Sequence, residues 1–172
     1  MKKQILIIVI LLFTVTLFAQ KTEKQSKTLS KHAVGVAAGP TIGYGLSYQY
    51  TYSRFSVQAT FFPRKTSNHE IYYTGLTFYY VLVKDKKINL FLYQGNNLFC
   101  TKVEENWKDW NRNEERKKYF KAYNNNGLGI GFEFVIVEHV SLKLMSGYAY
   151  YLNFKKLSLT GEIALLYHIP SK

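Results

Sequence analysis

The stretch that most constrains this chain runs from Gly127 to Phe154, where large and small residues alternate through two strand lengths. Leu128, Ile130, Phe132, Phe134 and Ile136 recur at every second position, separated by Gly127, Gly129, Gly131, Glu133, Val135 and Val137. After a turn at Glu138-His139, Val140, Leu142, Leu144, Tyr148, Tyr150, Leu152 and Phe154 face away from Ser141, Lys143, Met145, Gly147, Ala149, Tyr151 and Asn153. A period of two is the period of a β-strand.

The character of the two faces decides which way they point. A water-soluble sandwich buries its bulky row and covers the other face with Lys, Glu and Thr. Here the second row is mostly Gly, Ala and Ser, a poor surface for water. The pattern fits a narrow barrel in a bilayer, apolar outside, with an interior filled by short side chains and a few paired charges.

The beginning of the chain indicates export. Lys2 and Lys3 precede an apolar run from Ile5 to Phe18, followed by Ala19-Gln20. That run matches the core of a secretory signal and is too short to span a bilayer as a helix. Residues 1–20 are therefore expected to be a signal peptide, and the polar, basic residues 21–31 a flexible tether. No Cys directly follows the apolar run, so lipid attachment there is not expected. The single Cys, Cys100, has no partner for an internal disulfide. The formal charge is +12; in an exported chain this points to lipid phosphates and away from nucleic acid.

Six further segments read as strands. They are His32 to Gly39, Thr41 to Tyr52, Phe55 to Phe62 with Pro63 as a stop, Glu70 to Val83, Ile88 to Thr101 with a bulge at Gly95-Asn96-Asn97, and Leu157 to Ile169. Between Glu70 and Val83 both faces are aromatic; placing Tyr72, Leu76, Phe78, Tyr80 and Leu82 outward puts Gly75 and Thr77 in the small interior row. With the two opening strands the count is eight. An even count lets the first strand close on the last, leaving no bare backbone edge in hydrocarbon. The expected fold is an all-β, eight-stranded antiparallel transmembrane up-and-down β-barrel over residues 32–169.

With the N-terminus in the periplasm, Ser53-Arg54, Lys84 to Lys87 and Glu138-His139 become periplasmic turns. Gly39-Pro40, Arg64 to His69, Lys102 to Tyr123 and Lys155-Lys156 then lie outside. Tyr50, Tyr52, Phe55, Tyr80 and Tyr167 fall on the periplasmic rim, and Phe61, Tyr72, Tyr150 and Phe154 on the opposite one. Residues 102–123 carry seven Lys/Arg, five Asp/Glu and both Trp, and read as a long extracellular loop. Glu104/Lys108 and Glu114/Lys118 have the i, i+4 spacing of a short surface helix. Trp107, Trp110, Arg112, Arg116, Lys117 and Lys118 are its candidate contacts for lipopolysaccharide phosphates or an extracellular partner.

Alternation, strand count and the Phe18-Ala19-Gln20 signal together resemble the small outer-membrane barrels of the OmpA/OmpX type. The resemblance implies an integral outer-membrane protein that acts through its outer loops, needs no cofactor or metal, and is inserted by the barrel-insertion machinery. That family usually ends on an aromatic residue; here Tyr167-His168-Ile169 precedes Pro170-Ser171-Lys172, leaving Tyr167 or Ile169 as the expected recognition signal.

The interior row offers three side chains of charged type: Glu133, Lys143 and Glu162. Buried charges must be compensated, so Lys143 is expected to bridge Glu133, Glu162 or both. Two rival functions draw on other features. His139-Val140-Ser141 resembles the His-x-Ser element of outer-membrane lipid A deacylases, although no acidic residue occupies the downstream region around Asn153. A soluble lipocalin-like carrier would also have eight strands, but both Trp residues lie in the long loop and the inward row is polar.

Overall fold

The computed structural model describes residues 30–66, 69–105, 117–152 and 155–170. The expected signal peptide and nearly all of the tether lie outside them. Eight strands follow in order: β1 (His32–Gly39), β2 (Gly43–Tyr52), β3 (Phe55–Thr66), β4 (His69–Lys84), β5 (Ile88–Glu105), β6 (Lys117–Val137), β7 (Val140–Tyr151) and β8 (Lys156–His168). Each pairs antiparallel with its neighbours, and β1 joins β8 from Ala33↔His168 to Ala38↔Ile163, closing the barrel.

The bulky rows face outward. Leu46, Tyr48, Ile130, Phe132, Leu144, Ile163 and Leu165 are exposed, whereas Ser47, Gln49, Gln58, Thr60, Lys143 and Ala164 are buried. On β4, Tyr72, Leu76, Phe78 and Tyr80 are outside and Thr77 is inside. At the end shared by the two termini, Tyr50, Tyr52, Phe55, Tyr80 and Tyr167 are exposed, with the rings of Phe55 and Tyr80 4.8 Å apart. This arrangement is the reverse of what a soluble carrier requires. Phe154, assigned to the opposite belt, lies outside the described residues.

The interior is less uniformly small than the alternation suggests. Tyr79, Phe91 and Tyr93 are buried inside with Met145 and Leu166. Their bulk bears on two glycines of β6: Tyr93 pairs in register with Gly129, where a Cβ would lie 2.7 Å from the tyrosine ring, and Phe91 pairs with Gly131. The small row is thus small to admit rings from the neighbouring strand.

The long loop requires the largest correction. β5 runs on through Lys102 to Glu105 and β6 begins at Lys117, so much of 102–123 is strand. Its charges bar it from hydrocarbon, yet they do not bar a strand above the membrane. Glu104 pairs with Lys118 and Glu105 with Lys117. Glu104 and Lys118, read as parts of a helix, are therefore cross-strand partners. The strand from Arg64 to Thr66 likewise shortens the expected loop, and Pro63 is tolerated because β3 there pairs only with β4. Residues 95–97 pair without interruption; register shifts occur instead at Val81/Val83 and Val135/Val137.

Candidate functional site

Glu133, Lys143 and Glu162 all point into the barrel and are buried. The first two face each other across β6 and β7. The expected bridge is not formed: among the described residues no ion pair joins Lys143 to either carboxylate. Lys143 crosses the lumen to β2, donating to Gln49 Oε1 at 2.5 Å, while its ammonium lies 3.8 Å from the centre of the Tyr79 ring. A carbonyl dipole and an aromatic face thus take the place of a carboxylate.

Glu133 is satisfied from other directions. Asn89 Nδ2 donates to its Oε2 at 2.9 Å and Ser141 Oγ to its Oε1 at 3.0 Å. The Ser141 hydroxyl also lies 2.8 Å from His168 Nε2, which stands 3.8 Å from Glu133 Oε1. Having given its proton to Glu133, the hydroxyl accepts from the ring. This Ser, His and Glu cluster is not a nucleophilic relay. A relay acid holds the ring through its second nitrogen, whereas here carboxylate and hydroxyl gather at the same one, and Ser141 is 0% exposed. Of the His-x-Ser element, the His139 ring packs against the outward Tyr167 while Ser141 is buried in the lumen.

Glu162 holds a different element. The β1–β2 turn, read from sequence as an outer loop, folds into the barrel mouth and buries Thr41 and Ile42 completely. Thr41 donates to Glu162 through both its backbone N–H, at 3.2 Å, and its hydroxyl, and Thr160 Oγ1 donates to the same oxygen at 3.1 Å. Asn97 and Asn125 donate to the Pro40 carbonyl at 3.0 and 3.3 Å. Space for this plug comes from three adjacent strands. A Cβ on Gly75 would lie 1.9 Å from the Ile42 carbonyl oxygen, and one on Gly95 or Gly127 would strike Thr41. Gly43 and Gly45, at φ +85° and +119°, let the chain double back. From the sequence a strand begins at Thr41, whereas β2 begins at Gly43; Pro40 before the Thr41-Ile42 pair and Gly43 after it are the available signal.

Among the described residues, the barrel wall above the plug continues on one side only. The β5–β6 ladder adds eight pairs, from Leu98↔Asn124 to Glu105↔Lys117, after β7 has ended its pairing at Asn125↔Tyr151. With the ends of β3 and β4 this makes a projecting four-stranded sheet, roughly 26 Å long on β5 and β6 at about 3.3 Å per residue. Tyr73, Phe99 and Tyr123 stack across its inner face, with centroids 4.9 and 6.0 Å apart. On the outer face Glu70 sits between Lys65 and Lys102, at 3.0 and 3.8 Å. The hydrogen bond from Lys65, reinforced by both positive charges, holds the Glu70 carboxyl below the usual carboxylate range. Of the candidate surface residues, Lys117 and Lys118 belong to β6; Trp107, Trp110, Arg112 and Arg116 lie outside the described residues.

The N-terminal β-barrel domain of Pseudomonas aeruginosa OprF superimposes with a TM-score of 0.51 at 13% identity, over 83% of this chain and 100% of the OprF domain. The chain has the fold of the small eight-stranded outer-membrane barrels. Two other solved barrels align more loosely. Neisserial surface protein A gives a TM-score of 0.42 at 16% identity over 78% of this chain and 90% of its own. Ail, the attachment invasion locus protein of Yersinia pestis, gives 0.48 at 14% over 78% and 93%. No protein-family model matches the sequence, and no curated protein matches it. Among the described residues the lumen is filled by side chains and by the inward turn, and the β5–β6 ladder projects beyond the last pair with β7.

Proposed function

We propose that the protein is an integral outer-membrane barrel without enzymatic activity, serving to hold its projecting sheet at the cell surface as an interaction platform. The supporting observation is the continuation of the β5–β6 ladder for eight pairs beyond the last pair with β7. A strand segment that lines no lumen and closes no barrel is available for a partner. The apolar outer rows contact membrane lipid, the lysines about the sheet contact lipopolysaccharide phosphates, and an extracellular partner meets the sheet itself. Tyr167, exposed on the last strand, is the aromatic that the insertion machinery reads.

Protease treatment of intact cells tests the orientation. Trypsin added outside should cut at the basic residues between β5 and β6 and leave a barrel that still shifts in gel mobility on heating. Cutting that occurs only after the periplasm is opened would contradict the reading. In planar bilayers the plugged barrel should give no large, steady conductance.

A further inference from the structure

We propose that two copies of this chain associate within the membrane through the outward face of β5 and β6, joined by the side-chain amides of Gln94, Asn96 and Asn126. This goes beyond the surface-platform reading and requires only that the barrel span a bilayer. The outward row of β5 runs Leu90, Leu92, Gln94, Asn96, Leu98, so two amides interrupt a row of leucines. With strands tilted roughly 40° and rising about 3.3 Å per residue, Gln94 and Asn96 stand about 15 and 20 Å above Ile88, inside an apolar band about 25 Å tall. Charge enters this row only at Lys102, opposite Glu70.

Hydrocarbon offers these amides no hydrogen bond. Each has two N–H donors and a carbonyl acceptor. Gln94 and Asn96 meet part of the need between themselves: Gln94 Nε2 donates to Asn96 Oδ1 at 2.9 Å, and Asn96 Nδ2 donates back to Gln94 Oε1 at 3.2 Å. Asn126 stands directly opposite Asn96 in the β5–β6 register and is exposed. Among the described residues its side chain has no hydrogen-bond partner. Donors and an acceptor are thus left open on a lipid-facing wall.

Chemistry and symmetry select what answers them. A lipid phosphate calls for a cation, and the neighbours in register are Leu76, Phe78, Leu128 and Tyr150, all exposed. A second copy enters the membrane in the same orientation, so a two-fold axis relating the pair runs along the membrane normal and keeps every group at its own depth. With that axis beside the patch, amide meets amide. An amide is both donor and acceptor and therefore complements itself, where a charged row would repel its own copy. Asn and Gln side chains join membrane helices in the same way. The four apolar neighbours pack around the amides in the joined pair.

The test uses the full chain folded into liposomes of phosphatidylethanolamine and phosphatidylglycerol. Donor- and acceptor-labelled copies, tagged at Lys86→Cys in a Cys100→Ser background, should show more energy transfer than randomly placed barrels at the same density. Replacing Gln94, Asn96 and Asn126 together by Leu should weaken association at least tenfold in a chain that still shifts in gel mobility on heating. An oxidant should cross-link copies carrying Asn126→Cys in the Cys100→Ser background. Copies carrying Leu46→Cys, on β2 across the barrel, should stay single. Transfer at the random level, equal association of the leucine variant, or equal cross-linking from Leu46→Cys would each overturn the proposal. The first result would mean that lipid alone covers the patch. If the leucine variant does not fold, the transfer and cross-linking arms still decide. None of these readouts depends on which way the barrel faces, so the trypsin result bears on the surface platform alone.

Discussion

Phe91 on β5 stands opposite Gly131 on β6, and a Cβ added to that glycine would lie 2.6 Å from the phenylalanine Cζ. Its other close neighbour would be Met145 Cγ, also at 2.6 Å. The site is therefore filled by side chains from both sides. Overpacking a filled interior costs about 1–3 kcal/mol, so Gly131→Val should lower unfolding stability in detergent by that order. Phe91→Leu in the same chain should recover part of the loss.

The exterior responds to lipid depth. Ile130→Arg places a cation against hydrocarbon and should cost roughly 2–4 kcal/mol near the midplane. Phe120, on the same outward row of β6 but beyond the barrel, is more exposed than Ile130, and Phe120→Arg should cost about 0–1 kcal/mol. Equal penalties in bilayer unfolding would show that the projecting sheet is not outside the membrane.

Lys143 answers a buried carboxylate that it does not touch. Lys143→Met removes the cation facing Glu133 and should destabilise the barrel by on the order of 3 kcal/mol. Adding Glu133→Gln should restore most of it, because the carboxylate that faced the lost cation is then neutral as well. An unchanged urea midpoint for the single variant would remove the network from the account.

The plug depends on Glu162 as a shared acceptor. Hydrogen bonds to a charged group contribute about 1.5–3 kcal/mol. Glu162→Leu should therefore speed amide exchange at Thr41 by roughly ten- to a hundredfold, while β3–β4 barrel amides keep their rates.

Glu70 gives the projecting sheet a pH dependence of definite sign. Its folded-state carboxyl is lowered by Lys65 and Lys102, so its contribution is present above the ordinary carboxylate range and lost as pH falls through the lowered value. Amide exchange at Ile71 and Tyr72, corrected for intrinsic rates, should accelerate over that acid window. The Glu70→Gln variant should lack the step.

Much of this was legible in sequence because the lipid-facing rows are long and unambiguous. β1 spans the expected His32 to Gly39, and on the aromatic β4 the small residues Gly75 and Thr77 were enough to choose the inner face. Position in the wall was readable; what lay across the lumen was not. Period-two alternation says that Lys143 points inward but carries no information that Gln49, ninety-four positions earlier, will meet it. The same limit hid His168 beside Ser141 and Asn89 beside Glu133. At 102–123 charge was mistaken for the absence of a strand. Charge excludes hydrocarbon, and two strands that leave the bilayer together can keep pairing in water.

The most direct measurement is magnetisation transfer from lipid acyl chains to side-chain methyl groups of the barrel in nanodiscs. Val36, Leu46, Ile130, Leu144 and Ile163 should receive it strongly, and Ala37, Ala149, Ala164 and Leu166 should not. Transfer to the second set with none to the first would contradict the outward-facing arrangement on which the account is built.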